Sequence, residues 1–245
     1  MKTLIILFTM ALAVLLGMAI HRWIFLPKKE KAKQGKYRIL CIGDSITYGA
    51  GVLYTRRKDS YPAILEKKLG DGYQVLNYGI SGATLIRQSD KPYSASFLEA
   101  ARKTDPKICI LMLGTNDSKP QNWDPTSYKD TLAEWIADLK SFPSKPLVYL
   151  MTPPAAFGVD GKPVVYMIRE EIISDEIYPI VKQQSIQHRT GFVDMYAATQ
   201  FHPELFGDGV HPNKQGNQLI AQQIYNVLKI DLGLQSTDGK NAVQR

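Results

Sequence analysis

The sequence predicts an α/β protein, a mostly parallel five-stranded sheet with helices on both faces, preceded by an N-terminal transmembrane helix. Three observations carry this expectation. Beyond residue 37, short apolar runs alternate with longer amphipathic ones, the pattern of repeated strand and helix. The run ICILML at 108–113 is apolar without alternation, as a strand covered on both faces requires. Residues 3–20 carry no charge over 18 positions, about 27 Å as a helix.

The elements follow in order. Apolar residues continue past Ile20 through Trp23 to Leu26, and Arg22 and Trp23 suit a membrane interface. Residues 1–26 are therefore expected to be a membrane anchor. A cleaved signal peptide, with Gly17-Met18-Ala19 as its processing site, is the alternative. Residues 27–36 are a charged linker, expected to be extended and solvated. The folded domain spans 37–232, and 233–245 is a polar tail.

Within the domain, 38–42 reads as the first strand and 61–69 as a helix. Asp71-Gly72 is a turn, and 73–76 the second strand. Residues 94–103 read as helix and 108–113 as the third strand. The 3-4-3 spacing of Leu132, Trp135, Ile136 and Leu139 predicts a helix over 128–142. The fourth strand, 147–151, stops before Pro153-Pro154. A helix over 170–189 should kink or break at Pro179. A short strand at 192–194 and a final helix at 215–228, with Asn213 as its N-cap, complete the order.

Composition is that of a globular domain, 44% hydrophobic and 22% charged. The net charge of +7 is unevenly placed. Residues 1–38 hold eight Lys or Arg and one acid, and the remainder holds 22 of each sign. A neutral domain has no electrostatic case for nucleic acid as a partner. Cys41 and Cys109 both lie in strand-like apolar runs and read as buried free thiols.

In parallel sheets ligands bind beyond the carboxyl ends of the strands. There the sequence sets Gly43-Asp44-Ser45, then Asn77 to Gly82, then Gly114-Thr115-Asn116-Asp117, and before the last helix Asp208 to Asn213. Each has an ordinary explanation alone: Ser45 as a turn or helix-capping residue, the glycines as conformational joints, His211 as a structural histidine. Ser45 also lacks the G-x-S-x-G frame, because position 47 is Thr. Together they match the needs of acyl transfer: a nucleophile, a base, a carboxylate to orient that base, and oxyanion donors. Ser45, His211 and Asp208 have the right chemistry for the first three. The backbone N–H groups of Ser45 and Gly82 and the amide of Asn116 are candidate donors.

The ordered blocks GDS, N-x-G-x-x-G, G-x-N-D and D-x-x-H, from 43 to 211, resemble the SGNH hydrolases, also called the GDSL esterase/lipase family. The resemblance implies a flavodoxin-like three-layer fold. It also implies Ser45 as nucleophile, Gly82 and Asn116 as oxyanion donors, and Asp208 and His211 as acid and base. The first block reads GDSI rather than GDSL, which keeps an apolar residue there. LGTNDSKPQNW and DGVHPN are similar to the bacterial sialate O-acetylesterase and acetylxylan-esterase-like branch.

The loops expected to border the site carry Gln121, Asn122, Trp123, Phe157 and Asp160. Trp123 and Asn122 are the candidate substrate-binding pair, since aromatic and amide groups suit a sugar. The expected activity is hydrolysis of short acyl esters, O-acetyl on a carbohydrate, with a lysophospholipase or acyl-thioesterase as the alternative. No cofactor or metal is expected. A phosphatase using Asp44 and Asp117 would need a metal-ligand cluster, and none is visible in the sequence, nor is a Walker lysine motif. The expected localisation is a single-pass membrane protein, or a secreted one if the leader is cleaved. The basic residues 22–38 would hold their side in the cytoplasm, whereas a secreted hydrolase needs the opposite. The side stays open, with the extracytoplasmic one preferred.

Overall fold

The structure, a computed structural model, describes residues 14–18 and 26–234. Five strands, β1 (Tyr37–Gly43), β2 (Tyr73–Gly79), β3 (Ile108–Met112), β4 (Leu147–Met151) and β5 (Gly191–Val193), form one sheet in the order β2-β1-β3-β4-β5. Every pairing is parallel. The helices are α1 (Ser45–Tyr48), α2 (Arg56–Asp59), α3 (Tyr61–Leu69), α4 (Ala95–Arg102), α5 (Pro125–Lys140), α6 (Glu170–Ile172), α7 (Tyr178–Gln187), α8 (Met195–Thr199) and α9 (Lys214–Asp231).

Side-chain alternation along the strands divides the core into two layers. Leu40, Ile42, Cys109, Leu111, Val148 and Leu150 pack with Ala101 of α4, Leu132 and Ile136 of α5 and Val181 of α7. Ile39, Cys41, Ile108, Ile110 and Tyr149 pack with Leu65 of α3 and with Ile220 and Ile224 of α9. Cys41 and Cys109 thus lie on opposite faces of the sheet and cannot bridge. Both are free and buried, and burial pushes both thiols well above their ordinary pKa.

The sequence expectations differ from the structure in instructive ways. β2 runs on to Gly79, three residues beyond the expected strand end. The stretch 170–189 does not break at Pro179. A π-helical turn, Ile173–Ile177, joins α6 to α7, and Pro179 sits in the first turn of α7, where a missing N–H costs nothing. Asn213 caps α9, its Oδ1 accepting from the N–H groups of Gln215 and Gly216.

The N-terminal transmembrane helix expected over 3–26 lies largely outside the described residues. Of that stretch, residues 14–18 are described, and they are helical. Among the described residues, no helix is long and apolar enough to cross a membrane. The linker is extended, but part of it is bound rather than solvated. It runs along β2, an edge strand, and Glu30 accepts from the Asn77 N–H at 3.0 Å. Glu66 of α3 accepts from the Val75 N–H at 2.7 Å. Two carboxylates therefore occupy strand-edge donors that would otherwise invite another strand.

α1 is seated closely against the end of β2. A Cβ added at Gly79 would lie 2.2 Å from the backbone N of Tyr48. Gly79→Ala is expected to push α1 off the sheet and to cost about 1–3 kcal/mol, read as a lower urea midpoint.

Candidate active site

Chain direction across the sheet reverses between β1 and β3. From β1 the chain moves outward to β2, and from β3 it moves the opposite way to β4 and β5. The loops leaving β1 and β3 therefore separate, and the crevice between them is the expected ligand position. Ser45 stands at the exit of β1 and Asn116 at the exit of β3.

Asp44, not Ser45, caps α1, with its Oδ1 accepting from the Ile46 N–H at 2.9 Å. Ser45 is the first helical residue, so its own N–H has no intrahelical acceptor. The C-terminal end of α1 is held by Asn77, whose Nδ2 donates to Thr47 O while its Oδ1 accepts from Gly79 N.

The structure brings Ser45, His211 and Asp208 into one chain of hydrogen bonds. His211 Nε2 lies 2.9 Å from Ser45 Oγ, and His211 Nδ1 lies 2.7 Å from Asp208 Oδ2. An ionised carboxylate only accepts, so the Nδ1 facing it carries the proton and Nε2 is the acceptor for the Ser45 hydroxyl. Asp208 Oδ1 accepts from the backbone N–H groups of Val210 and His211. Burial works to raise the Asp208 carboxyl. The hydrogen bonds from His211 and Val210 outweigh it and hold the group well below the usual carboxylate range. The segment carrying His211 is tied to α9 by buried Asn217, whose Nδ2 donates to Pro212 O and whose Oδ1 takes the Tyr61 N–H.

The G-x-N-D residues reach across to the loop after β2. Asn116 Nδ2 donates to Ala83 O at 3.2 Å and lies 3.5 Å from Asp44 Oδ2, at the limit of a bond. That contact sets the amide beside Gly82, which has a φ of +79° that favours glycine. Asp117 is fully buried and accepts from the N–H groups of Leu85 and Ile86. Burial pushes Asp117 up to about 7 and Asp44 up to about 6, against the N–H bonds each accepts. Both have backbone-bracing tasks. Among the described residues, no three His, Cys, Asp or Glu side chains cluster as a metal site.

The two candidate substrate-binding residues are placed differently from expectation. Asn122 is buried and its amide is spent internally. Its Oδ1 accepts from Asp90 N, and its Nδ2 donates to Asp90 Oδ1 and Asn116 O. It braces Asn116 from behind and offers no free polar edge. Trp123 donates its indole N–H to Glu176 at 3.1 Å and packs against the Tyr128 ring, at the rim of the core.

The sequence reading missed Tyr166. Its hydroxyl donates to Asp208 Oδ2 at 3.1 Å, and its ring meets the His211 ring edge-on at 5.5 Å. Burial, and then the Asp208 carboxylate, raise the pKa of this hydroxyl, so it stays a donor. Tyr166 and Met167 both have positive φ, 60° and 59°. Neither is a residue type that enters this region readily, and each costs about 1–3 kcal/mol. No periodicity or motif marks Tyr166; only its place at the end of a bordering loop could have drawn attention to it.

A cavity of about 420 Å³ lies on the β2 edge rather than at Ser45, lined by residues including Glu30, Lys33, Arg56, Glu66 and Asn77.

Similarity to known proteins agrees with this arrangement. Residues 41–219 match the GDSL-like Lipase/Acylhydrolase family. The chain is 34% identical over 217 residues to an acetylxylan esterase of Xylanibacter ruminicola, covering 80% of this chain and 44% of that relative. The chain thus spans less than half of that relative's length. It is 25% identical over 185 residues to thioesterase 1/protease 1/lysophospholipase L1 of Escherichia coli K12, covering 75% of this chain and 79% of the relative. Its fold matches a carbohydrate acetylesterase family member from Sinorhizobium meliloti with a TM-score of 0.67 and 21% identity, covering 80% of this chain and 99% of that one. With the blocks at 43–45, 77–82, 114–117 and 208–211 gathered at one sheet edge, the chain belongs to the GDSL-like lipase/acylhydrolase family.

Proposed function

We propose that the chain is a serine esterase that removes short acyl groups, O-acetyl above all, from a carbohydrate. The observation that carries this reading is the unbroken chain Ser45 Oγ, His211 Nε2, His211 Nδ1, Asp208 Oδ2, with contacts of 2.9 and 2.7 Å. The acetylxylan esterase relative supports the substrate class.

In this reading Ser45 Oγ attacks the ester carbonyl carbon and its proton passes to His211 Nε2. Asp208 holds the imidazole and stabilises its positive charge. The carbonyl oxygen, now negative, is met by the N–H groups of Ser45 and Gly82 and by the Asn116 amide. The bond from carbon to the alcohol oxygen breaks, and His211 gives its proton to that oxygen. Water then attacks the acyl-Ser45 carbonyl and loses a proton to His211. The carbon–Oγ bond breaks, Ser45 recovers the proton, and acetate leaves.

The acyl chain length separates this reading from the lipid and thioester alternative. Each methylene buried on binding contributes about 0.8 kcal/mol, so an enzyme with a long acyl groove gains with chain length. On nitrophenyl esters, kcat/KM is expected to be highest for acetate and to fall or stay flat towards octanoate. A steady rise would transfer the assignment to lysophospholipase or thioesterase chemistry. EDTA is expected to leave the rate unchanged.

A further inference from the structure

Resting on the esterase reading above, we infer that Tyr166 is the platform for the alcohol side of the ester. Its ring receives the pyranose that bears the acetyl group, and its hydroxyl holds Asp208 in place.

The position of the ring follows from the chemistry of His211. Nε2 must return a proton to the departing alcohol oxygen, so the alcohol part of the substrate lies beside the imidazole. The Tyr166 ring is 5.5 Å from that imidazole. On this inference the alcohol part leaves past Tyr166, while the carbonyl oxygen faces Gly82 and Asn116.

The surface of the segment points the same way. Val165, Tyr166 and Met167 are 38%, 56% and 61% exposed, three consecutive apolar residues of which Tyr166 lies beside His211. Such a patch beside a reactive group is a contact surface for a ligand. It is a single flat ring flanked by two aliphatic side chains, which suits the C–H face of one sugar ring.

The backbone is braced to hold the ring there. Phe157, at the start of the loop, donates its N–H to Gly209 O at 2.8 Å, joining the loop to the Asp208 turn. Arg169, just past its end, donates from Nε to Ser118 O at 2.6 Å, joining it to the loop after β3. Between these ties, Tyr166 and Met167 are kept at positive φ. The strained pair turns the ring towards His211, and the hydroxyl bond to Asp208 locks its orientation.

Two variants and two acetates test this, using the full chain: Tyr166→Phe and Tyr166→Ala, an acetylated methyl xyloside and ethyl acetate. Tyr166→Ala is expected to raise KM for the xyloside roughly 3- to 10-fold, the range that one ring contact supplies. KM for ethyl acetate, which has no ring to stack, should change little. Tyr166→Phe keeps the ring and should keep the xyloside KM, while lowering kcat on both esters equally through the lost bond to Asp208. If Tyr166→Ala raises KM for both substrates in the same proportion or for neither, or Phe fails to restore the xyloside KM, the platform is overturned and Tyr166 is merely structural. If the wild type cleaves ethyl acetate but not the xyloside, the carbohydrate reading fails instead.

Discussion

Ser45→Ala and His211→Ala are each expected to lower kcat by about 10⁴-fold or more, some 5.5 kcal/mol of transition-state stabilisation, while circular dichroism should show the fold intact. In the proposed mechanism Ser45 supplies the attacking oxygen, and His211 Nε2, 2.9 Å away, accepts its proton. On that mechanism, removing either member removes covalent catalysis altogether, so the double variant is expected to be scarcely worse than either single one. Asp208→Ala loses somewhat less. Asp208→Asn is the sharper variant, because an amide N–H turned to Nδ1 places the imidazole proton on Nε2, where Ser45 needs an acceptor. Turnover of nitrophenyl acetate by purified protein checks the set. A Ser45→Ala variant near wild-type turnover would falsify the nucleophile assignment.

The second large effect is expected at Asn116. Its amide would donate to an oxygen that becomes negative only in the tetrahedral intermediate. Asn116→Ala should therefore lower kcat by about 10²–10³, some 2.7–4 kcal/mol, with KM little changed. The side chain also ties Ala83 O, so the variant loses one brace on the loop around Gly82. Asp117 still holds Leu85 and Ile86 of that loop through backbone N–H groups, which keeps it in place. A variant that mainly raises KM would mark Asn116 as a substrate ligand instead.

The two candidate substrate ligands show where sequence reasoning stopped. Asn122 and Trp123 have chemistry that suits a sugar, on a loop at the right strand end. Asn122 lies at that end, yet its amide is consumed by Asp90 and Asn116. An amide suited to a sugar hydroxyl is equally suited to a backbone carbonyl, and residue type does not distinguish them. Tyr166 is the converse case. Its importance depends on two consecutive positive φ angles at residues that disfavour them, so local propensity argues against the conformation that puts its ring beside His211.

By itself the sequence determined the order of the five strands and of the longer helices, because burial leaves a period of two or 3.6 in the chain; the short helices Ser45–Tyr48, Arg56–Asp59 and Met195–Thr199 left no such period. It also determined the four loops that carry Ser45, Gly82, Asn116 and the Asp208–His211 pair, because the chemistry of these residue types is local. Asp208 and His211 could be paired from their spacing of three, which one turn accommodates. Tertiary structure alone decided the rest. The sheet order sets the exits of β1 and β3 on either side of the switch point, and Ser45 meets His211 across 166 residues of chain. It likewise decided that Asp44 and Asp117 brace backbone and that Cys41 and Cys109 face away from each other. Periodicity records which side of an element is buried. It carries no information about which other element lies against that side, and the contacts of Ser45 with His211 and of Asn116 with Ala83 are made between such neighbours.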